Sequence, residues 1–273
     1  MTSWINIDSM RLRYLDVAPR SGVSDGPAVL VIPGHTARIE GYLPLVELLC
    51  ENRRVLVLDY PGSGESDKPQ RAYNLAFYEA VTIKFLDELA ITEAVPVGGS
   101  LGGNLVLRLG FRFPDRFKKL VAWAPGSSWP SRSLLASLLD RVVAPTWLGR
   151  ALFWPTVRIQ SRFWYQAEFA HRSAHLEETF HYYRRVMSRG FVMMYWGMAA
   201  DQLRYSLFDL APSVSQPTLL LWGDQDHGGG MGKGVARLAE QIPNCCLHVF
   251  AGAGHALEAE CVEALGEQIL TGI

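Results

Sequence analysis

Charge of one sign, long apolar runs and patterned cysteines are what this 273-residue chain has least of. Its 26 lysines and arginines stand against 27 aspartates and glutamates, a formal net charge of −1. That balance offers no bulk field to nucleic acid or an anionic membrane, which excludes partners captured by overall charge. No segment approaches the roughly 18 apolar residues of a spanning helix, and Met1 to Arg13 lack the apolar centre of an export signal. The expected location is therefore the cytoplasm. Cys50, Cys245, Cys246 and Cys261 form no C-x-x-C and no His/Cys group at metal-ligand spacing. They predict buried free thiols in a reducing compartment, with Cys245 and Cys246 pointing to opposite faces of a strand. Internal repeats and low-complexity tracts are also missing.

What is present is a core-forming composition, 49% hydrophobic and 19% charged. The length suits one large α/β domain, or a core with an insertion. Trp4 to Ile7 and Arg11 to Val17 alternate apolar and polar residues around Asp8-Ser9, the pattern of a β-hairpin. Ala28 to Ile32 and Val55 to Leu58 are continuous apolar runs, as in strands buried on both faces. Helical periodicity is predicted over Tyr42 to Cys50, Leu75 to Leu89 and Leu101 to Phe111, with strands at Ala94 to Val97 and Leu120 to Ala124. The alternation stops from Pro125 to Ala211, a block rich in arginine that holds five of the eight tryptophans. It resumes with a strand at Thr218 to Trp222, a helix at Gly234 to Gln241, a strand at Leu247 to Phe250 and a last helix at Leu257 to Leu270. The prediction is an α/β fold with a mostly parallel sheet of about eight strands and helices on both faces. Its core spans residues 1–124 and 212–273, and a helical insertion occupies 125–211.

Val97 to Gly103 carries the sharpest signal. A strand-forming run meets Gly98-Gly99-Ser100-Leu101-Gly102, and an amphipathic segment follows, the strand–turn–helix context of the G-x-S-x-G nucleophile elbow. Glycine beside the serine lets strand and helix approach closely, while the serine backbone takes an unfavourable conformation. A serine hydroxyl needs a histidine base oriented by a carboxylate, in the chain order serine, acid, histidine. The strand Thr218 to Trp222 ends in Gly223-Asp224-Gln225-Asp226, and Leu247 to Phe250 ends in Ala251-Gly252-Ala253-Gly254-His255. Both aspartates are candidates for the acid, and His255 for the base. The backbone N–H of Leu101 is placed to serve an oxyanion hole.

Taken with Pro33-Gly34-His35, Asp59-Tyr60-Pro61-Gly62-Ser63-Gly64-Glu65-Ser66 and Phe113-Pro114-Asp115-Arg116-Phe117, these motifs make the chain resemble the α/β-hydrolase superfamily over nearly its full length. The resemblance implies Ser100 as nucleophile, His255 as base and Asp226 as acid, with Asp224 the alternative. It also implies the backbone N–H of His35 as second oxyanion donor, although the family's usual His-Gly-x is here Pro33-Gly34-His35. No cofactor or metal is implied. The implied activity is hydrolysis of a small carboxylic ester through an acyl-enzyme. Two readings compete. One is a carbon–carbon bond hydrolase of the meta-cleavage type, disfavoured because those relatives usually carry Trp after the catalytic histidine where this chain has Ala256. The other is a non-catalytic binding protein on the same scaffold. Serine at the elbow argues against relatives that use aspartate there, the haloalkane dehalogenases and epoxide hydrolases.

Other features have plainer readings. The glycine run 228–234 resembles a phosphate loop, but His227 stands where the first glycine belongs and Gly234 where Ser/Thr belongs. His171 and His175 have i, i+4 spacing without a carboxylate set to complete a zinc site. Asp59 marks a turn and is assigned no chemistry. Aromatics of the insertion, with Trp129, Trp154, Trp164, Met194 and Trp196 as candidates, are expected to line an apolar substrate pocket beneath a lid, and its arginines to solvate the outer face. The oligomeric state is not legible.

Overall fold

The computed structural model describes residues 2–165, 168–226 and 231–273. The chain opens with β1 (Thr2–Ile7) and β2 (Met10–Val17), an antiparallel hairpin. Its turn residues Asp8 and Ser9 both have positive φ, the requirement of a two-residue hairpin turn. Then follow β3 (Ala28–Ile32), α1 (Leu43–Leu49), β4 (Val55–Leu58), α2 (Leu75–Glu88), β5 (Ala94–Gly99), α3 (Leu101–Arg112) and β6 (Leu120–Trp123). After β6 the described residues form helices and no strand until β7: α4 (Ser133–Leu138), a π-helical turn (Leu139–Val143), α5 (Trp147–Gln160), α6 (Arg172–Val186) and α7 (Arg189–Arg204). The chain closes with β7 (Thr218–Gly223), α8 (Met231–Gln241), β8 (Cys245–Phe250), α9 (Leu257–Glu260) and α10 (Val262–Gly272).

The described strands make one eight-stranded sheet in the order β1-β2-β4-β3-β5-β6-β7-β8, parallel from β4 to β8. Every residue of β3, β4 and β6 is buried, as their unbroken apolar sequences predict. One face packs on α2, α3 and α8, the other on α1, α9 and α10. The chain leaves β3 for β4 on one side and later returns to β5 on the other. The C-terminal ends of β3 and β5 therefore flank the reversal of strand order, where open α/β sheets leave a crevice. Pro33-Gly34-His35 and Ser100 stand at those two ends.

Three details differ from the sequence-based expectations. The last helix is two, broken at Cys261, whose φ of −148° is extended. β8 begins at Cys245 rather than Leu247. Only Cys50 of the four thiols is buried, and Cys246 is exposed, because β8 is an edge strand with one face toward solvent. His227 and the start of the glycine run at 228–230 lie outside the described residues. Among those described, no helix is long and apolar enough to cross a membrane.

Candidate active site

Ser100 sits between β5 and α3 with φ 56° and ψ −119°, a strained conformation for a residue with a side chain. It is held from below: its N–H donates to the Trp123 carbonyl (3.0 Å), and its carbonyl accepts from Asn104 N (3.1 Å) and Gly126 N (2.8 Å). A methyl group on Gly102 would run into the carbonyl oxygen of Ile32, so only glycine lets α3 start this close to β3. Leu101 is the first residue of α3, and first-turn N–H groups have no acceptor within their helix. On the β3 side, Gly34 N donates to the Tyr42 hydroxyl (2.8 Å), which fixes the loop carrying His35.

The imidazole of His255 lies on Asp226, with Nδ1 2.9 Å from Oδ2. Asp226 is 3% exposed. Burial works to lower the pKa of His255, but the hydrogen bond to Asp226 and that residue's charge outweigh it and raise the value above the ordinary one. Asp224 is exposed and does a different job: its Oδ1 accepts from Gly252 N (2.8 Å) and ties the β7 loop to the β8 loop. Gly254 N donates to Glu260 (2.9 Å), which braces the backbone just before His255.

Sequence reasoning missed Glu258. Trp123, 1% exposed, lies with its indole N–H against Gly99, so that a methyl there would collide with it. The same N–H donates to Glu258 Oε2 at 2.8 Å. A single side chain thus bridges the residue before Ser100 and the residue three after His255. Burial raises the pKa of Glu258. Its place three residues beyond the histidine was the available signal. Replacing Glu258 with leucine leaves the Trp123 N–H without an acceptor and is expected to cost about 1–3 kcal/mol in urea unfolding. Glutamine keeps an acceptor and is expected to cost less than half of that. Equal losses in both variants would contradict the bridge.

The helical insertion clasps the loops at the strand ends. Tyr183 and Thr36 share a hydroxyl hydrogen bond of 2.6 Å, Tyr195 stacks on the His35 ring at 4.9 Å, and Arg38 pairs with Glu178 at 2.6 Å. On the neighbouring loop, Gly64 N donates to the Tyr182 hydroxyl at 2.6 Å. Burial pulls the His35 imidazole down to about 4, so it is neutral at pH 7. Asp59 fastens that loop from inside: it is fully buried, pairs with Arg13 at 2.5 Å and accepts from Ile39 N and Glu65 N.

The pocket candidates are dispersed. Trp196 donates its N–H to Gly149 O (2.8 Å) and joins α7 to α5. Trp154 packs on Phe153 and Phe180 with Arg184 over its ring, and Trp164 meets Tyr183 edge-on. Met194 lies against Gly62. Trp129 is half-buried, and its indole N–H is closed off from solvent with no hydrogen-bond partner among the described residues. These contacts mainly hold the insertion together. Tyr182, Tyr183 and Tyr195 reach the site loops instead, with no sequence signal to set them apart from other cap aromatics.

Known proteins are similar to this chain in sequence and in fold. The chain is 28% identical to a poly(3-hydroxyalkanoate) depolymerase of Ectopseudomonas oleovorans, over 97% of this chain and 90% of that one. It is 27% identical to a 2-hydroxy-6-oxononadienedioate/2-hydroxy-6-oxononatrienedioate hydrolase of Cupriavidus pinatubonensis, over 87% and 82%. The solved structure of a thermophilic esterase from Thermogutta terrifontis superposes with a TM-score of 0.80 at 21% identity, covering 99% and 97% of the two chains. Residues 27–258 match the family model of the alpha/beta hydrolase fold, and the chain belongs to that family.

Proposed function

We propose that the chain is a serine hydrolase that cleaves carboxylic esters with an apolar acyl or aromatic group through an acyl-enzyme. The hydrogen bond between His255 and the buried Asp226 carries the reading, because it orients the imidazole and raises its basicity, as a general base requires. His255 takes the Ser100 proton as Oγ attacks the ester carbonyl, and the N–H groups of Leu101 and His35 hold the oxyanion. Collapse of the tetrahedral intermediate expels the alcohol, which leaves with the proton from His255. Water, deprotonated by the same imidazole, then attacks the acyl-enzyme, and the acid departs as Ser100 regains its proton. Asp226 holds the tautomer and stabilises the imidazolium without itself taking the proton. The neutral His35 ring and the Tyr195 ring stacked on it suit an uncharged acyl group better than a carboxylate.

Similarity to the 2-hydroxy-6-oxononadienedioate hydrolase supports a second reading, carbon–carbon bond hydrolysis by the same groups. Ala256, where such relatives usually have Trp, weighs against it. A panel of p-nitrophenyl esters graded by acyl length decides between them. The expected result is turnover with a preference for medium apolar chains and negligible bleaching of a ring-fission dienoate. Rapid bleaching with negligible ester turnover would reverse the assignment.

A further inference from the structure

The outer face of the helical insertion is apolar and basic together. Among the described residues fourteen large apolar side chains are exposed, and eight of them fall within residues 134–163. Scattered exposed apolar residues need no explanation, but such a concentration does. Leu134, Leu135, Leu138 and Val142 recur at helical spacing on one side of α4 and its π-helical extension, with Leu134 at 89% exposure. Leu152 and Ile159 (60%), seven residues apart, share one side of α5, Trp147 (76%) is exposed at its first position, and Phe163 follows.

Both helices spend their other sides on α7. Phe153 packs on Phe191 and Tyr195, and Trp196 bonds Gly149. Arg132 N donates to Leu203 O, and Asp140 pairs with Arg204. The apolar sides therefore point away from the body of the protein.

Residues 129–165 contain five arginines (Arg132, Arg141, Arg150, Arg158 and Arg162) and one acid, Asp140. All five arginines are exposed, and none forms an ion pair with a described residue, while Asp140 is already matched by Arg204. A chain with a net charge of −1 thus keeps a local excess of positive charge around its most apolar surface. A protein partner of the same kind is disfavoured, since an isologous contact between two copies would press like charges together. An interfacial helix with Trp and Leu on one side and arginine at its margin lies in the plane of an anionic membrane, with guanidinium groups at the level of the headgroups.

We propose that this face of α4 and α5 docks on an anionic phospholipid bilayer. Because the same insertion clasps the loops beside Ser100 and His35, docking holds the site region close to the lipid surface. The near-zero overall charge averages this patch away, so capture here is local rather than by bulk charge. The docking does not depend on turnover.

Flotation of the full chain with vesicles of phosphatidylcholine, alone or with about 30 mol% phosphatidylglycerol, tests it. The chain is expected to float with the anionic vesicles and at least about tenfold less with the neutral ones. Trp147→Ser with Ile159→Ser is expected to cut binding about tenfold or more, through loss of buried apolar area. Arg141→Ala with Arg158→Ala is expected to cut it about fivefold per charge. All four side chains are exposed, so the unfolding midpoints should stay near that of the parent; if one double variant misfolds, the other still decides. No flotation with anionic vesicles, equal flotation with both compositions, or variants that bind like the parent would overturn the proposal. So would a concentration-dependent dimer, seen in sedimentation velocity and dissolved by the Trp147 and Ile159 substitutions.

Discussion

Ser100→Ala is expected to lower kcat/KM on an activated ester by about a million-fold while the protein stays folded. Under the proposed mechanism the loss is large because the hydroxyl is the only group at the elbow able to form an acyl-enzyme. Folding should survive because what holds the turn is backbone: the bond from Ser100 N to Trp123 O, and those from Asn104 N and Gly126 N to Ser100 O. Alanine has the same φ restriction as serine and inherits the strain, so circular dichroism and the unfolding midpoint should match the parent closely. Residual turnover within about tenfold of the parent would mean that another group is the nucleophile.

Asp226→Asn is the second large effect, about 10⁴-fold in kcat, because an amide favours the wrong imidazole tautomer. Its pH signature is specific. A histidine base works only when neutral, so with His255 in the proposed role activity is expected to be lost as pH falls through its pKa. In the parent that value is raised by the bond to Asp226 and the carboxylate charge, against burial. Removing the charge leaves burial in command and lowers the value, so the acid limb of kcat/KM should move to lower pH. The same raised pKa makes a contribution to stability that is present below the unfolded-state value and is lost as pH rises through the folded one. The variant should therefore show less of that dependence as pH rises above the ordinary histidine value of about 6.5. Asp224→Asn should leave both profiles in place, because Asp224 serves Gly252 N and not the imidazole. A collapse in Asp224→Asn with a normal Asp226→Asn would exchange their roles.

How much of this was legible depended on the length scale of the signal. The buried strands β3, β4 and β6 are continuous apolar runs, and the elbow is bounded by glycines whose absence of side chains is itself the cause of the geometry. Asp226 and His255 follow strand ends, where a short sequence pattern and a spatial position coincide. Glu258 and Trp123 lie far apart in sequence, and only the parallel pairing of β5 with β6 brings the indole against Gly99. The insertion was least legible. Its aromatics share one composition, yet Trp196 and Trp154 bind helix to helix while Tyr183 and Tyr195 meet the loop at His35. The choice is made by how α5, α6 and α7 rotate against one another, which periodicity does not encode. Exposure of Cys246 follows from the place of β8 at the edge of the sheet, a property of strand order rather than of the strand.

Reaction with a fluorophosphonate tests the central claim most directly, because it asks for an activated hydroxyl whatever the natural substrate. One phosphonyl group per chain, mapped by peptide mass spectrometry to Ser100 and absent in His255→Ala, is the predicted result. A folded protein that leaves Ser100 unlabelled, or labels equally well without His255, would contradict it.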